Sequence, residues 1–141
     1  MTTRTLRVTL LALALGATGL SAQAGRAPKE PTFQDRPLSA WVDDLKGMAP
    51  YTRNQAAYAI GGMGPAARSA VPALIEALKD PEATVRFPVC IALREIGPDA
   101  IAAVPALREA LDDRNDDVAA MARKALITIT GEDPRPFGEN D

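Results

Sequence analysis

The chain of 141 residues contains no histidine, a single cysteine and only 4% aromatic residues. The absence of histidine excludes Ser-His-Asp and Cys-His catalysis, histidine-ligated zinc or haem, and an imidazole pH switch. Cys90 has no second cysteine in the chain with which to form a disulfide. We expect it to be a small core residue, with an intermolecular disulfide as the alternative.

The charge balance argues against a nucleic-acid partner. Lys and Arg together number 16, and Asp and Glu together number 18. Residues 1–24 contain Arg4 and Arg7 and no acidic residue, so without them the basic count falls from 16 to 14 against 18 acidic residues, a net charge of −4. A chain of that sign repels a phosphate backbone at long range, so we predict no nucleic-acid binding.

The first 24 residues have the three parts of a secretory signal peptide. Arg4 and Arg7 precede an apolar stretch over residues 8–15, and the AQA sequence at 22–24 provides small residues for cleavage. A helix over residues 8–22 would rise about 22 Å, which is short of the roughly 30 Å hydrocarbon core of a membrane. We therefore predict cleavage after residue 24, export to an extracytoplasmic compartment (the periplasm or the medium), and no stable membrane span in the mature chain. A retained anchor is the alternative.

Two segments that flank the central part of the chain lack helical or strand periodicity. Residues 25–37 are rich in proline and charge, and we predict a flexible linker there. Residues 131–141 contain two prolines and two glycines among acidic residues, and we predict an acidic disordered tail. The ordered domain is therefore expected over residues 38–130.

The sequence of this domain repeats with a period of 33 residues. Residues 71–97 align without a gap to residues 104–130, with 12 identities in 27 positions. The same shift applied backwards gives a degenerate first copy, so the predicted repeats cover 38–70, 71–103 and 104–130. One such unit cannot bury its apolar face alone, and stacked copies must share a core. We predict an all-α fold, a short α-solenoid (an α-α superhelix) of three helical-hairpin repeats.

Each repeat has the features of two helices. Pro72 and Pro105 suit the first turn of a helix, where the missing N–H would have no partner. The second helix of the middle repeat is expected to end at Gly97, since glycine followed by Pro98 is a typical helix stop. Pro88 lies inside this helix and predicts a late start or a kink.

The runs VPALIEALKDPEATVRFPVCIALREIGPDAI and VPALREALDDRNDDVAAMARKALITITG resemble HEAT repeats, of the armadillo-type fold, and specifically the short variety of phycobilisome lyase subunits. The resemblance implies a non-enzymatic protein-binding scaffold, although a minority of such proteins attach bilins or bind iron through His-Glu pairs. It also implies an inter-repeat ladder in which Arg53 and Arg86 pair with Asp80 and Asp113. Ala119 departs from the pattern because it replaces the ladder arginine of the third repeat.

A helical wheel of the second helices places a candidate partner-binding strip on the side opposite the core, which lines the concave surface of a solenoid. Tyr58, Phe87 and Ile91 would form an apolar centre, with Arg94 and Lys124 at its edge. The strip could instead consist of ordinary exposed apolar residues, or be covered by a flanking aromatic side chain.

No catalytic, cofactor-binding or metal-binding residues emerge from the sequence. The acidic residues near 112–117 lack the D-x-D-x-D-G loop of a calcium site and fit a helix N-terminus better. We therefore hypothesise an exported, non-enzymatic adaptor that binds a protein or peptide and needs no cofactor. The alternatives are a lyase-like accessory subunit of an enzyme, which would need a tetrapyrrole or similar ligand, and a self-associating structural module.

Overall fold

The computed structural model describes residues 29–134 of the chain. The predicted signal peptide (1–24), the first residues of the predicted linker (25–28) and residues 135–141 of the tail predicted over 131–141 lie outside this range. The described part contains one small two-stranded sheet and six α-helices, and the prediction of an all-α solenoid is confirmed. The elements are β1 (Thr32–Phe33), β2 (Arg36–Pro37), α1 (Leu38–Asp44), α2 (Pro50–Gly62), α3 (Val71–Ala77), α4 (Ala83–Ile96), α5 (Val104–Glu109) and α6 (Asp116–Thr130).

The helices form three successive pairs, α1–α2, α3–α4 and α5–α6, whose first members begin at 33-residue intervals. The second helices form the main inter-repeat contacts, because α2 packs on α4 and α4 packs on α6. Two 3-10 helices, Gly64–Ala70 and Gly97–Ala103, connect one pair to the next, and a short one, Ala110–Asp112, follows α5. Apart from the Gly-Pro pairs with which the longer two begin, no sequence pattern predicts these connectors.

Proline and glycine mark the helix boundaries as their backbone preferences require. α2, α3 and α5 each have a proline in the first turn. α6 begins with a side-chain cap, since the Asn115 Oδ1 accepts a hydrogen bond of 3.1 Å from the Val118 N–H. Gly97 and Gly131 follow α4 and α6 with φ of 74° and 78°, a region that disfavours other residues.

Pro88 does not delay the start of α4, so the expected late start is wrong, and the alternative, a kink, stays a prediction. The helix runs from Ala83 to Ile96, with Pro88 buried inside it. The missing N–H of Pro88 would have donated to the carbonyl of Thr84, four residues earlier. That carbonyl accepts a hydrogen bond of 2.5 Å from the Asn54 side-chain amide of α2 instead. The neighbouring repeat thus satisfies the acceptor that the proline leaves open.

The core runs continuously between the two helix layers and consists of aliphatic side chains with many alanines. Leu74, Leu93 and Leu107 are fully buried. Small residues allow α2 and α4 to approach closely. A Cβ at Gly61 would lie 3.2 Å from the Ala92 Cα, tighter than ordinary packing allows, so a larger side chain at this position would push the two helices apart.

Residues 32–37 are not a flexible linker, and the prediction for this part of 25–37 is wrong. Thr32–Phe33 and Arg36–Pro37 pair antiparallel through a tight turn at Gln34 and Asp35, both with positive φ. The Phe33 ring lies over Gly62 at the end of α2, where a Cβ would come within 2.6 Å of it. The hairpin was missed because this docking is a tertiary contact that leaves no periodicity in the sequence.

The hairpin is tied to the first repeat by polar contacts as well. The Trp41 indole N–H donates to the Phe33 carbonyl at 3.3 Å. The Arg36 guanidinium lies 4.3 Å from the centre of the Trp41 ring and forms an ion pair of 2.5 Å with Asp44. At the other end of the domain, Asp133 pairs with Arg123 and brings the first residues after α6 back against that helix. None of the helices within residues 29–134 is long and apolar enough to cross a membrane.

Candidate partner-binding surface

An open groove crosses the second-helix layer, from the middle of α2 over the first turns of α4 to the N-terminal end of α6. Tyr58 of α2 is 45% exposed, and Phe87 of α4 is half-buried with part of its ring against the core. These two aromatic side chains, together with Ala83, form the apolar part of a cavity of about 290 Å³. The complete lining, which defines the groove below, is Asn54, Tyr58, Ala83, Thr84, Phe87, Asn115 and Asp117.

The groove is held in place by hydrogen bonds between and within its helices. The Asn54 side chain bridges α2 and α4 through its hydrogen bond to the Thr84 carbonyl. Asn115 is fixed because it caps α6 and because its own N–H donates to the Asp113 Oδ1 at 2.9 Å. The polar walls of the groove are therefore positioned by the packing of the repeats, which lowers the ordering cost of binding.

The structure divides the five predicted surface residues into two groups. Tyr58 and Phe87 line the groove, whereas Ile91, Arg94 and Lys124 do not. Ile91 is half-buried and Lys124 is exposed. Arg94 is engaged locally, with an ion pair of 2.6 Å to Glu95 and a contact of 3.6 Å from its Nη1 to the Met121 sulfur. Of the five residues, only Tyr58 and Phe87 therefore line this groove, and a partner-binding role for the five stays a prediction.

Thr84, Asn115 and Asp117 were missed as groove residues by the sequence analysis. Thr84 and Asp117 occupy equivalent positions in the second and third repeats, 33 residues apart. A helical wheel compares positions only by their angle around the helix axis, and it does not show how far along the axis each position lies. The repeat alignment itself carried the missing signal, since equivalent positions lie side by side across a solenoid.

The inter-repeat ladder of arginine and aspartate side chains is a second polar feature, and it joins consecutive repeats. The Arg53 Nε and Nη2 donate to the two carboxylate oxygens of Asp80 at 2.6 and 3.1 Å. The Arg86 Nε and Nη2 donate to Asp113 at 2.7 and 2.8 Å. Each arginine also donates through Nη1 to two carbonyls of its own repeat, which for Arg86 are those of Asp80 and Pro81. The two rungs are geometric copies of each other.

The ladder perturbs the acidity of its carboxylates. Burial alone would raise the pKa of Asp80, but hydrogen bonds from Arg53 and from the Glu82 N–H outweigh it, and the pKa lies below its usual value. The hydrogen bonds from Arg86 are the main reason why the pKa of Asp113 is lowered. Both carboxylates are therefore held ionised, in a structural arrangement whose four side chains have little exposure.

Cys90 lies close to this ladder but in the core, where it is fully buried. Burial, with a smaller contribution from the Asp113 carboxylate, raises the pKa of the thiol to about 12. The thiolate is the reactive form of cysteine, so the native protein holds this side chain in an inert state. Within residues 29–134, no group of three or more His, Cys, Asp or Glu side chains is arranged to hold a metal ion.

Comparison with known proteins identifies the repeats. A family model described as HEAT repeats matches residues 38–127, which cover all six helices apart from the last turn of α6. The chain belongs to the HEAT-repeat family. Proteins of this family are typically non-enzymatic scaffolds that mediate protein interactions. The match is to HEAT repeats in general, and the narrower likeness to phycobilisome lyase subunits remains a prediction.

Among solved structures, the HEAT domain is similar to an engineered protein from the Northeast Structural Genomics Consortium, with a TM-score of 0.59 and 22% sequence identity. The alignment covers 67% of this chain and 45% of that one, so the chain spans less than half the length of its structural relative. At this identity the likeness shows the fold alone. No curated protein matches the chain.

The HEAT ladder ends within the described domain at both sides. Ala119 occupies the position in α6 that corresponds to Arg53 and Arg86, and Gly47 occupies the position that corresponds to Asp80 and Asp113. The third repeat therefore lacks the donor of a further rung, and the first lacks the acceptor. Two copies stacked end to end would form no rung between them.

Proposed function

We propose that this HEAT-repeat protein is an exported, non-enzymatic scaffold that binds a protein or peptide in the groove centred on Tyr58 and Phe87. The observation that supports it is the groove itself, an apolar centre with polar walls on the second-helix layer. Interfaces of this composition, aromatic at the centre and polar at the rim, are typical of binding hot spots.

The open shape of the groove favours a macromolecular partner over an enclosed small molecule. Sites that bury a drug-sized ligand occupy roughly 300–1,000 Å³. A cavity of about 290 Å³ that is open to solvent suits one or two side chains that project from a larger partner. Binding would then use Tyr58 and Phe87 to desolvate an inserted apolar side chain.

Export is the second element of the proposal and is supported by the sequence of residues 1–24 alone. The test is fractionation of the native host, followed by N-terminal sequencing of the recovered protein. A mature chain that starts at Gly25 in the envelope or the medium supports export, and an uncleaved chain in the cytoplasm contradicts it.

The binding test compares two variants that each remove one exposed apolar side chain. Tyr58→Ser alters the groove, whereas Ile101→Ser alters the connector after α4, where Ile101 is 59% exposed. The two sites lie near opposite ends of the 14-residue helix α4, which is about 20 Å long. With the full chain as bait against an extracytoplasmic fraction, Tyr58→Ser should lose a protein that the wild type and Ile101→Ser both retain. Equal capture by all three would contradict the assignment of the groove.

A further inference from the structure

The groove has a charge at one end and none at the other. Asp117 is its single charged lining residue and lies in the first turn of α6, beyond the apolar centre formed by Tyr58 and Phe87. The equivalent position in the second repeat is the neutral Thr84, which also lines the groove. The negative charge is therefore confined to the third-repeat end of the groove.

The Asp117 carboxylate has no structural partner in the part of the chain that is described. Over residues 29–134 it forms neither an ion pair nor a side-chain hydrogen bond, in contrast to the nearby Asp113, which is held by Arg86. It is not needed as a helix cap either, because Asn115 already accepts from the Val118 N–H. The carboxylate is exposed and is available to an external cation.

Within residues 29–134, neither Arg114, three residues before Asp117, nor a cation of the second helices forms an ion pair with Asp117 or lines the groove. Arg94 is paired with Glu95, and neither Arg94 nor Lys124 lines the groove. Lys124 lies two turns beyond Asp117 on α6, about 10 Å along the helix axis. Asp116, the neighbouring exposed acid, adds to the negative charge of the first turn.

We propose that the groove binds an extended segment of a partner protein that inserts an apolar side chain between Tyr58 and Phe87 and places a lysine or arginine against Asp117. Adjacent packed helices are separated by about 8–10 Å, which sets the step from Phe87 on α4 to Asp117 on α6. An extended chain covers this step in about three residues at roughly 3.3 Å each. The expected motif is therefore an apolar residue with a basic residue about three positions away, in a fixed direction.

This inference rests on the proposed function, and its test separates the two. A display library of random twelve-residue peptides is selected on the immobilised full-length chain, with the Tyr58→Ser variant as the counter-selection. Peptides that the wild type retains and Tyr58→Ser loses should be enriched in the apolar and basic pair. If no such peptides are found, the groove does not bind peptides and the proposed function fails with the inference.

The charge contact is then measured with one selected peptide by fluorescence anisotropy. Asp117→Asn should weaken binding about two- to fivefold, which is the effect of one exposed ion pair, and the effect should shrink at high salt. Asp116→Asn is the matched control because it removes the same charge one residue away from the groove lining, and it should change binding less. Replacing the basic residue of the peptide by glutamine should abolish the difference between wild type and Asp117→Asn. Peptides that depend on Tyr58 but show no basic preference, or equal effects of the two Asp→Asn variants, would overturn the inference and leave the proposed function standing.

Discussion

Replacement of Arg86 by methionine should destabilise the HEAT domain far more than the loss of an ordinary surface charge. The side chain of Arg86 is 11% exposed and that of Asp113 is 9% exposed. Methionine retains much of the arginine stem but removes all four hydrogen bonds that the guanidinium donates. The Asp113 carboxylate is then left largely buried without its cation.

The expected loss of unfolding free energy depends on how far the Arg86–Asp113 ion pair is removed from water. Removal of one partner from a fully buried ion pair costs about 3–5 kcal/mol, because the other charge remains without compensation. Asp113 keeps its hydrogen bond from the Asn115 N–H and has one edge in contact with water, so we expect about 2–3 kcal/mol. For a domain of this size such a loss lowers Tm by roughly 10–20 °C.

The assay is thermal and urea unfolding followed by circular dichroism at 222 nm, with Arg108→Met as the control. Arg108 is an exposed arginine on α5, and its replacement should change the unfolding free energy by less than about 0.5 kcal/mol. Asp113→Asn should cost less in the Arg86→Met background than in the wild type, because the two residues act as one pair. Equal stability of Arg86→Met and Arg108→Met would refute the role assigned to the ladder.

Three further predictions concern acid stability, the buried thiol and close packing. Folding lowers the pKa of Asp80 and that of Asp113, so the unfolded chain binds more protons in acid than the folded chain does. The stability that these carboxylates provide is present above their unfolded pKa of about 4. It is lost as the pH falls through their lower folded pKa. An acid titration of unfolding free energy should show this loss, with a shallower slope in Arg86→Met. Cys90 should react with a thiol reagent at pH 8 only after unfolding, and labelling of the native protein at the rate of a free thiol would contradict its burial. Gly61→Val should cost about 1–3 kcal/mol, since the branched side chain meets Ala92 where a Cβ alone is already at 3.2 Å; unchanged urea unfolding would show that α2 and α4 can separate at no cost.

The helices could be predicted from the sequence because periodicity, proline and glycine are local signals. Pro72, Pro105 and Gly97 mark boundaries by their own backbone limits, and the 33-residue identities place the three pairs in register. The hairpin at 32–37 could not be predicted in this way. Its order depends on the Phe33 ring meeting Gly62 and on the Trp41 indole, and such contacts exist only after the first repeat has folded.

The groove could be predicted only in part, for a related reason. A wheel finds which side chains point away from the core, and it correctly selected Tyr58 and Phe87 as neighbours across two helices. It cannot show that α4 lies between α2 and α6, or that Ile91 of α4 is half-buried in the stacked repeats. The place of Asp117 depends on how the first turns of α4 and α6 align, which is a property of the stacked repeats.

The most direct test of the partner-binding groove is to map amide chemical shifts by NMR while a Tyr58-dependent ligand, protein or peptide, is titrated into the isotope-labelled chain. The largest changes should cluster at Asn54, Tyr58, Phe87 and Asp117, with Ile101 and the first helices α1, α3 and α5 unchanged. Changes centred on the first-helix layer, or spread evenly over the repeats, would contradict the account.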